Sequence, residues 1–236
     1  MVQSSARPGA ASRPVGPADA GIVASRLRDL HLDARTELDH SDAFELLVAT
    51  VLSAQTTDVR VNQVTPALFA AWPDPEALAG AADADVTEIV RPLGMGATRA
   101  RRIIGLAQRL VTEHGGEVPD SQTALEALPG VGRKTAHVLR GAWFGHSLLA
   151  VDTHVGRLSR RLGWTEQTDP RKVEADVVGR VAADGTGSPD EDLAVLGLRL
   201  ILHGRRVCTA RAPDCGSCVL VDVCPRIGLT QQAGVA

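Results

Sequence analysis

Residues 128–136 read Leu-Pro-Gly-Val-Gly-Arg-Lys-Thr-Ala and follow a short helix expected to begin near Ser121. Gly130 and Gly132 flank one apolar residue, so a tight turn is expected there: glycine tolerates positive φ and lets backbone N–H groups come close to an anion. A second helix starts at once and adds the positive end of its dipole. Two helices joined in this way make a helix-hairpin-helix, whose backbone donors hold a nucleic-acid phosphate without reading sequence. An ordinary αα turn is the plain alternative, and the intact Leu-Pro-Gly-Val-Gly argues against it. Lys134 falls in the first turn of the second helix, beside Arg133. The helix N-terminus and the neighbouring guanidinium both disfavour an ammonium group there, which makes this amine a candidate nucleophile.

The rest of the chain adds to that turn. Lys134 and Lys172 are the only lysines among 25 basic residues. A lysine kept against an arginine background points to amine chemistry, with chance survival as the alternative. Eighteen residues beyond Lys134 comes Val151-Asp152-Thr153-His154. A carboxylate at Asp152 suits the stabilisation of positive charge on a sugar or the relay of a proton, and equally suits an N-cap.

Around these motifs the pattern is helical, with apolar residues three and four apart. Ile103, Ile104, Ala107, Leu110 and Val111 form one stripe, with Arg99, Arg101, Arg102 and Arg109 expected largely off it. Asp169 followed by Pro170 reads as an N-cap and first turn, and Ser188, Pro189 and Glu191 as a capping box. About ten helices are expected, and the one strand-like run, Leu148 to Val151, is too short for a sheet. Aromatic residues make up 3% of the chain and tyrosine is absent, which argues against a β-sandwich or barrel.

A chain of 236 residues with 44% hydrophobic content buries on the order of 70% of its unfolded surface, which excludes a mainly disordered protein. No apolar run approaches a membrane span. The first 18 residues hold two arginines and no acid, and read as a disordered tail. They lack the apolar core of a secretory signal, and a transit peptide is the lesser alternative. The formal charge is −3, yet bases concentrate at 91–109, 133–161 and 199–211 while 73–88 is acidic. Such local basic surfaces suit a nucleic-acid partner, and solvated helix faces would look similar.

All four cysteines, Cys208, Cys215, Cys218 and Cys224, fall within 17 residues. In a reducing compartment clustered thiols point to a metal site rather than to disulfides. Four thiolates hold either tetrahedral zinc or a [4Fe-4S] cluster. One compact loop with a single CxxC favours the cluster over the paired knuckles usual for zinc. Arg205, Arg206 and Arg211 flank the loop, either offsetting its negative charge or meeting phosphates.

Four motifs in order carry a resemblance: Leu52-Ser53-Ala54-Gln55-Thr56-Thr57-Asp58, the hairpin, Val151 to His154, and Leu202-His203-Gly204-Arg205 ahead of the cysteines. From about residue 22 to Pro225 the chain resembles the helix-hairpin-helix DNA glycosylases with a Gly/Pro-rich loop and a catalytic aspartate. The resemblance implies an all-α, two-domain fold with the DNA cleft between the domains. A six-helix barrel domain at 36–146 would carry the hairpin, and 20–35 with 147–226 would form an iron-sulfur cluster domain. The segments 1–19 and 227–236 would be loose tails.

The implied activity is that of a bifunctional DNA glycosylase and AP lyase of base excision repair, removing oxidised pyrimidines. Lys134 would form a Schiff base at C1′ and Asp152 would assist base loss and β-elimination 3′ to the abasic site. Gln55 would enter the gap in the duplex and Met95 would wedge from the opposite side. Leu128, Gly130, Val131, Gly132 and Arg133 of the hairpin, with His154 and Arg205, would contact DNA. Carbonyls near Leu128 and Val131 would hold a monovalent cation, and the four cysteines a [4Fe-4S] cluster. The implied partner is double-stranded DNA bearing oxidised pyrimidines or abasic sites, bound by a monomer in the cytoplasm with the bacterial nucleoid and away from any membrane. Monofunctional adenine glycosylases also carry the cluster but lack the lysine.

Three departures from the family pattern bear on substrate range rather than on the reaction. The wedge loop reads Leu93-Gly94-Met95-Gly96 where Leu-Tyr is usual, and its second glycine is expected to loosen it. Thr56 stands in place of Ala, and His137 in place of Asn.

Overall fold

The computed structural model describes residues 14–184 and 192–229. Among them are eleven α-helices, one 3-10 turn and no strand. The chain divides into two compact units, Arg35–Ala150 and the described residues within Met1–Ala34 and Val151–Ala236. The segment 147–150, expected with the cysteines, belongs instead to the hairpin unit. Leu149 is buried there and its carbonyl meets His137 Nδ1 at 3.0 Å.

The hairpin unit holds α2 (Ala43–Leu52), α3 (Asp58–Ala71), α4 (Pro75–Ala79), α5 (Asp83–Val90), the 3-10 turn η1 (Arg91–Leu93), α6 (Gly96–His114), α7 (Gln122–Ala127) and α8 (Arg133–Ala142). Six of these are α-helices of six residues or more, and α4 is little more than one turn. Helix starts follow side-chain chemistry: Asp42, Thr57, Asp74 and Ser121 each accept a first-turn amide. Helix α2 is apolar almost all round and lies in the centre, with Leu46, Leu47 and Leu52 fully buried. Along α6, Ile103, Ile104, Ala107 and Leu110 are buried as their spacing implies, while Val111 is half-buried. Arg99 departs from its expected place off the stripe and is 3% exposed. Its side chain is drawn inward by carbonyls that no helical periodicity records.

The other unit holds α1 (Ala20–Leu30), α9 (Thr153–Arg161), α10 (Pro170–Ala183), α11 (Leu193–Arg206) and the irregular cysteine loop that follows. Helix α11 packs on α9 and α1, and α10 on α9 and α1, around Val23, Leu27, Val155, Leu158, Val173, Val177, Leu196 and Leu200. Asp169 caps α10 with Pro170 at its first position. Residues 188–191, expected as a capping box, lie outside the described residues. The start of α11 is capped by Asp192, which accepts the Ala194 amide at 2.8 Å. The expected loose tail ends earlier than residue 19. Ala18 is buried, its amide donates to Leu162 O at 2.8 Å and its carbonyl accepts from Trp164 Nε1 at 2.7 Å. At the other end the Ile227 amide donates to Arg161 O at 3.1 Å.

Candidate active site and cysteine loop

Local sequence builds the hairpin. Leu128 ends α7, and its carbonyl accepts from the Val131 amide at 3.1 Å. Gly130 takes φ +82, where a Cβ would stand 3.0 Å from Val51 Cγ1, so both the backbone sign and the contact with α2 demand glycine. Leu128 and Val131 are 2% and 7% exposed. Their side chains belong to the core, which leaves only their backbone to meet a phosphate or a cation. Gly132 is exposed at the N-cap of α8, and no side chain caps that helix. Its first-turn amides are therefore available to an anion. Lys134 is exposed on this turn, two residues past Gly132, and Arg133 beside it is half-buried.

Two further loops of the same unit carry Gln55 and Met95. Both residues are exposed and both adopt left-handed backbone, φ +63 and +53. Gly94 precedes Met95 with φ +76. Gly96 does not loosen this loop as expected: it opens α6, and a Cβ there would lie 3.3 Å from both Arg91 Cα and Thr87 O. It is a close-packing glycine. Thr56 Oγ1 is buried with no hydrogen-bond partner among the described residues. His137, weighed as a pocket or DNA residue, is 3% exposed and ties α8 to Leu149 O, so its part is internal.

Asp152 belongs to the other unit, at the N-cap of α9. Its Oδ1 accepts from His154 N at 2.7 Å and Val155 N at 2.9 Å. The capping role weighed from sequence is thus realised through one oxygen, and Oδ2 takes no part in it. His154 accepts at Nδ1 from Arg157 Nη2, 3.0 Å away, which sets its tautomer. The same guanidinium donates to Gly204 O at 2.8 Å and to Cys208 O at 3.1 Å. Gly204 is required by this approach, since a Cβ would sit 2.9 Å from His154 Cβ. Arg205 is exposed one residue further on.

None of the four cysteines forms a disulfide, and all four line one cavity with Arg161 and His203. Burial pushes the Cys218 thiol up to about 11, and the other cysteines push the same way. Burial likewise raises Cys224. Protonated thiols are favoured until a cation draws the protons off, as an iron core does. Among the described residues no three His, Cys, Asp or Glu side chains close to the geometry of a single metal ion. Arg161 Nη1 donates to Cys208 Sγ at 3.0 Å and Thr209 O at 2.8 Å, and Nη2 to Ala210 O at 2.9 Å. From α1, Arg26 pairs with Asp222 and donates to Val219 O. Burial holds His203 down at about 4 and therefore neutral, with Nε2 3.4 Å from Cys218 Sγ. The donor set fits an iron-sulfur cluster.

Sequence reading passed over Arg99, Arg157 and Arg161 as members of basic runs. Arg157 and Arg161 are spaced i, i+4 on α9, a spacing that places both on one face and was the available signal.

A helix-hairpin-helix unit joined to a four-cysteine loop defines a class, and the family comparison agrees. Residues 48–182 match the model of the HhH-GPD superfamily base excision DNA repair protein, and 208–224 match the iron-sulfur binding domain of endonuclease III. The chain belongs to the HhH-GPD superfamily and is an enzyme of the DNA glycosylase and abasic-site lyase class. Within that superfamily it is similar to endonuclease III. It is 44% identical over 202 residues to the endonuclease III of Synechocystis sp., covering 84% of this chain and 88% of that one. With the endonuclease III of Escherichia coli strain K12 the identity is 40% over 202 residues, covering 86% and 92%. A non-covalent endonuclease III-DNA complex superimposes with TM-score 0.79 at 37% identity, covering 86% and 92% of the two chains. A trapped endonuclease III-DNA covalent intermediate gives 0.78 at 37%, covering 85% and 92%. No helix among the described residues is long and apolar enough to cross a membrane.

Proposed function

We propose that this enzyme binds double-stranded DNA and removes oxidised pyrimidines by way of a covalent lysine adduct. A base inside a duplex is unreachable, so the nucleotide is extruded at a cost of a few kcal/mol, least where damage has weakened stacking. The hairpin amides at Gly132 and the first turn of α8 hold a backbone phosphate, aided by a monovalent cation on the Leu128 and Val131 carbonyls. Lys134 Nζ attacks C1′ and the damaged base departs with the bonding electron pair and a proton. The nitrogen gives one proton to the departing base and keeps the other, and O4′ takes up a proton as the sugar ring opens to the protonated Schiff base. Removal of a C2′ proton expels the 3′ phosphate, and water then frees the lysine. Asp152 Oδ2, left unused by the cap, favours positive charge on the sugar and takes part in proton transfer. Gln55 and Met95 occupy the vacated space, and Arg133, His154 and Arg205 contact DNA.

The observation that carries this reading is an exposed Lys134 on the uncapped first turn of α8, two residues from Gly132. The trapped covalent DNA complex of a relative 37% identical supports it. The four cysteines hold [4Fe-4S], which supplies a rigid centre for the loop, and no step above runs through it. Borohydride should trap the protein on duplexes containing an oxidised pyrimidine. Lys134→Ala and Lys134→Arg should both abolish the trap, because arginine keeps the charge and loses the nucleophile. Trapping that persists in either variant would remove Lys134 from this role.

A further inference from the structure

Arg99 is buried at 3% exposure, and among the described residues no carboxylate pairs with it. Burying a guanidinium costs several kcal/mol unless its donors are met. Four backbone carbonyls meet them here. Nη1 donates to Leu52 O at 2.5 Å and Nη2 to Ala54 O at 2.7 Å, on the segment leading to Gln55. Nε donates to Gly94 O at 2.8 Å and Nη2 to Leu93 O at 3.4 Å, on the turn leading to Met95. Leu52 and Ala54 lie at the C-terminal end of α2, where carbonyls lack intrahelical partners and the dipole favours a cation.

The two loops so joined hold two of the three non-glycine residues with positive φ among those described, Gln55 and Met95. Left-handed backbone is costly for an L residue and persists only where its surroundings impose it. Both side chains are exposed and do not hold their own backbone, and the bonds at the Met95 carbonyl run forward into α6, from Thr98 N and Arg99 N at 3.0 Å. One planar fork fixes the carbonyls just ahead of both strained residues, and so fixes the spacing of the two loops as well.

We propose that Arg99 is a positioning residue that locks the Gln55 and Met95 loops into one rigid pair, so that both side chains enter the duplex together. This rests on the gap-filling reading given above. The clamp acts on extrusion of the nucleotide rather than on the amine chemistry of Lys134. A lysine could not replace it fully, because a single ammonium cannot span four carbonyls on two loops.

The test uses the full chain with its cluster and a duplex carrying an oxidised pyrimidine next to 2-aminopurine, whose fluorescence rises on unstacking. Arg99→Met should lower the extrusion equilibrium about tenfold, comparable to Gln55→Ala or Met95→Ala. Combined with either of those it should add little, because coupled residues are non-additive. Borohydride trapping on a preformed abasic site, where no base must unstack, should fall about threefold at most. Amide exchange in Arg99→Met should quicken at 53–57 and 93–96 and stay unchanged in α8. If the Gln55 and Met95 variants lose extrusion and Arg99→Met does not, the clamp is wrong and the gap-filling reading stands. If neither loop variant affects extrusion, the gap-filling reading fails and the clamp's effect on extrusion fails with it. Should Arg99→Met not fold, Arg99→Lys decides: intermediate extrusion with partly quickened loop exchange is expected, and wild-type values in both would overturn the proposal.

Discussion

The hairpin at 128–132 and the cysteine loop at 208–224 are held together in opposite ways. The hairpin needs only its own residues and two neighbouring helices of its unit: a positive φ at Gly130, a 3.1 Å bond from Val131 N to Leu128 O, and Val51 of α2 and Arg102 of α6 beside it. The cysteine loop has no regular structure, and side chains from α1 and α9 fasten it. A site made of backbone groups is complete once the chain has turned. A site made of thiols waits for distant arginines and for its cofactor.

The largest break in this contrast should come from the cysteines. Cys218→Ala removes one ligand from a site whose metal contributes on the order of 10 kcal/mol to local folding. Bound iron, read by visible absorbance and elemental analysis, should be lost, and amide exchange across 207–224 should become fast. Exchange in α8 should not change, and a hairpin that melted with the loop would erase the distinction.

Next in size is Arg161→Met, which strips donors from Cys208 Sγ, Thr209 O and Ala210 O at a residue 7% exposed. Cys208 and Thr209 are half-buried, and leaving their acceptors without donors costs about 1–3 kcal/mol. The melting temperature should fall and a chelator should remove iron faster than from the parent protein. Iron retention at the parental rate would show that the loop holds itself.

Gly130→Ala should cost about 1–2 kcal/mol for its φ of +82 alone, with more from the contact at Val51 Cγ1. Binding to undamaged duplex should weaken equally across sequences, because only a phosphate grip is disturbed. A change in sequence preference, seen in competition binding, would mean that the hairpin reads bases.

The smallest effect is expected at Asp120, where His146 Nε2 lies 2.7 Å from Oδ2 and Arg140 Nε 3.1 Å from Oδ1. The hydrogen bonds from His146, then Arg140, hold this carboxyl below its ordinary value of 3.8. A depressed folded pKa contributes stability above the unfolded value, and that contribution is lost as pH falls through the folded one. Asp120→Asn should therefore lower the melting temperature slightly at neutral pH and leave it matched to the parent in strong acid. The group is solvent-exposed, so a large gap at neutral pH would contradict the assignment.

Legibility followed the same division. The caps at Asp169 and Ser121, the buried stripe of α6 and the hairpin depend on residues within a few positions of one another, and their spacing revealed them. Arg99 was misplaced because its partners lie 5 to 47 positions away and are carbonyls, which leave no mark in residue type. Gly96 was misread for a similar reason: its contact is with Arg91 and Thr87 across a helix junction. The substitution of Thr at position 56 has no account in the structure.

The amino-acid sequence by itself determined the helices, the turn at Gly130 and Gly132, the scarcity of amines that isolates Lys134, and four thiols within reach of one cluster. Those follow from steric and chemical rules that act along the chain. Only the tertiary structure decided which arginines are surface charge and which are internal fasteners, and that Asp152 commits one oxygen to capping α9. A guanidinium's role is set by the acceptors that surround it, and those come from parts of the chain that only folding brings together.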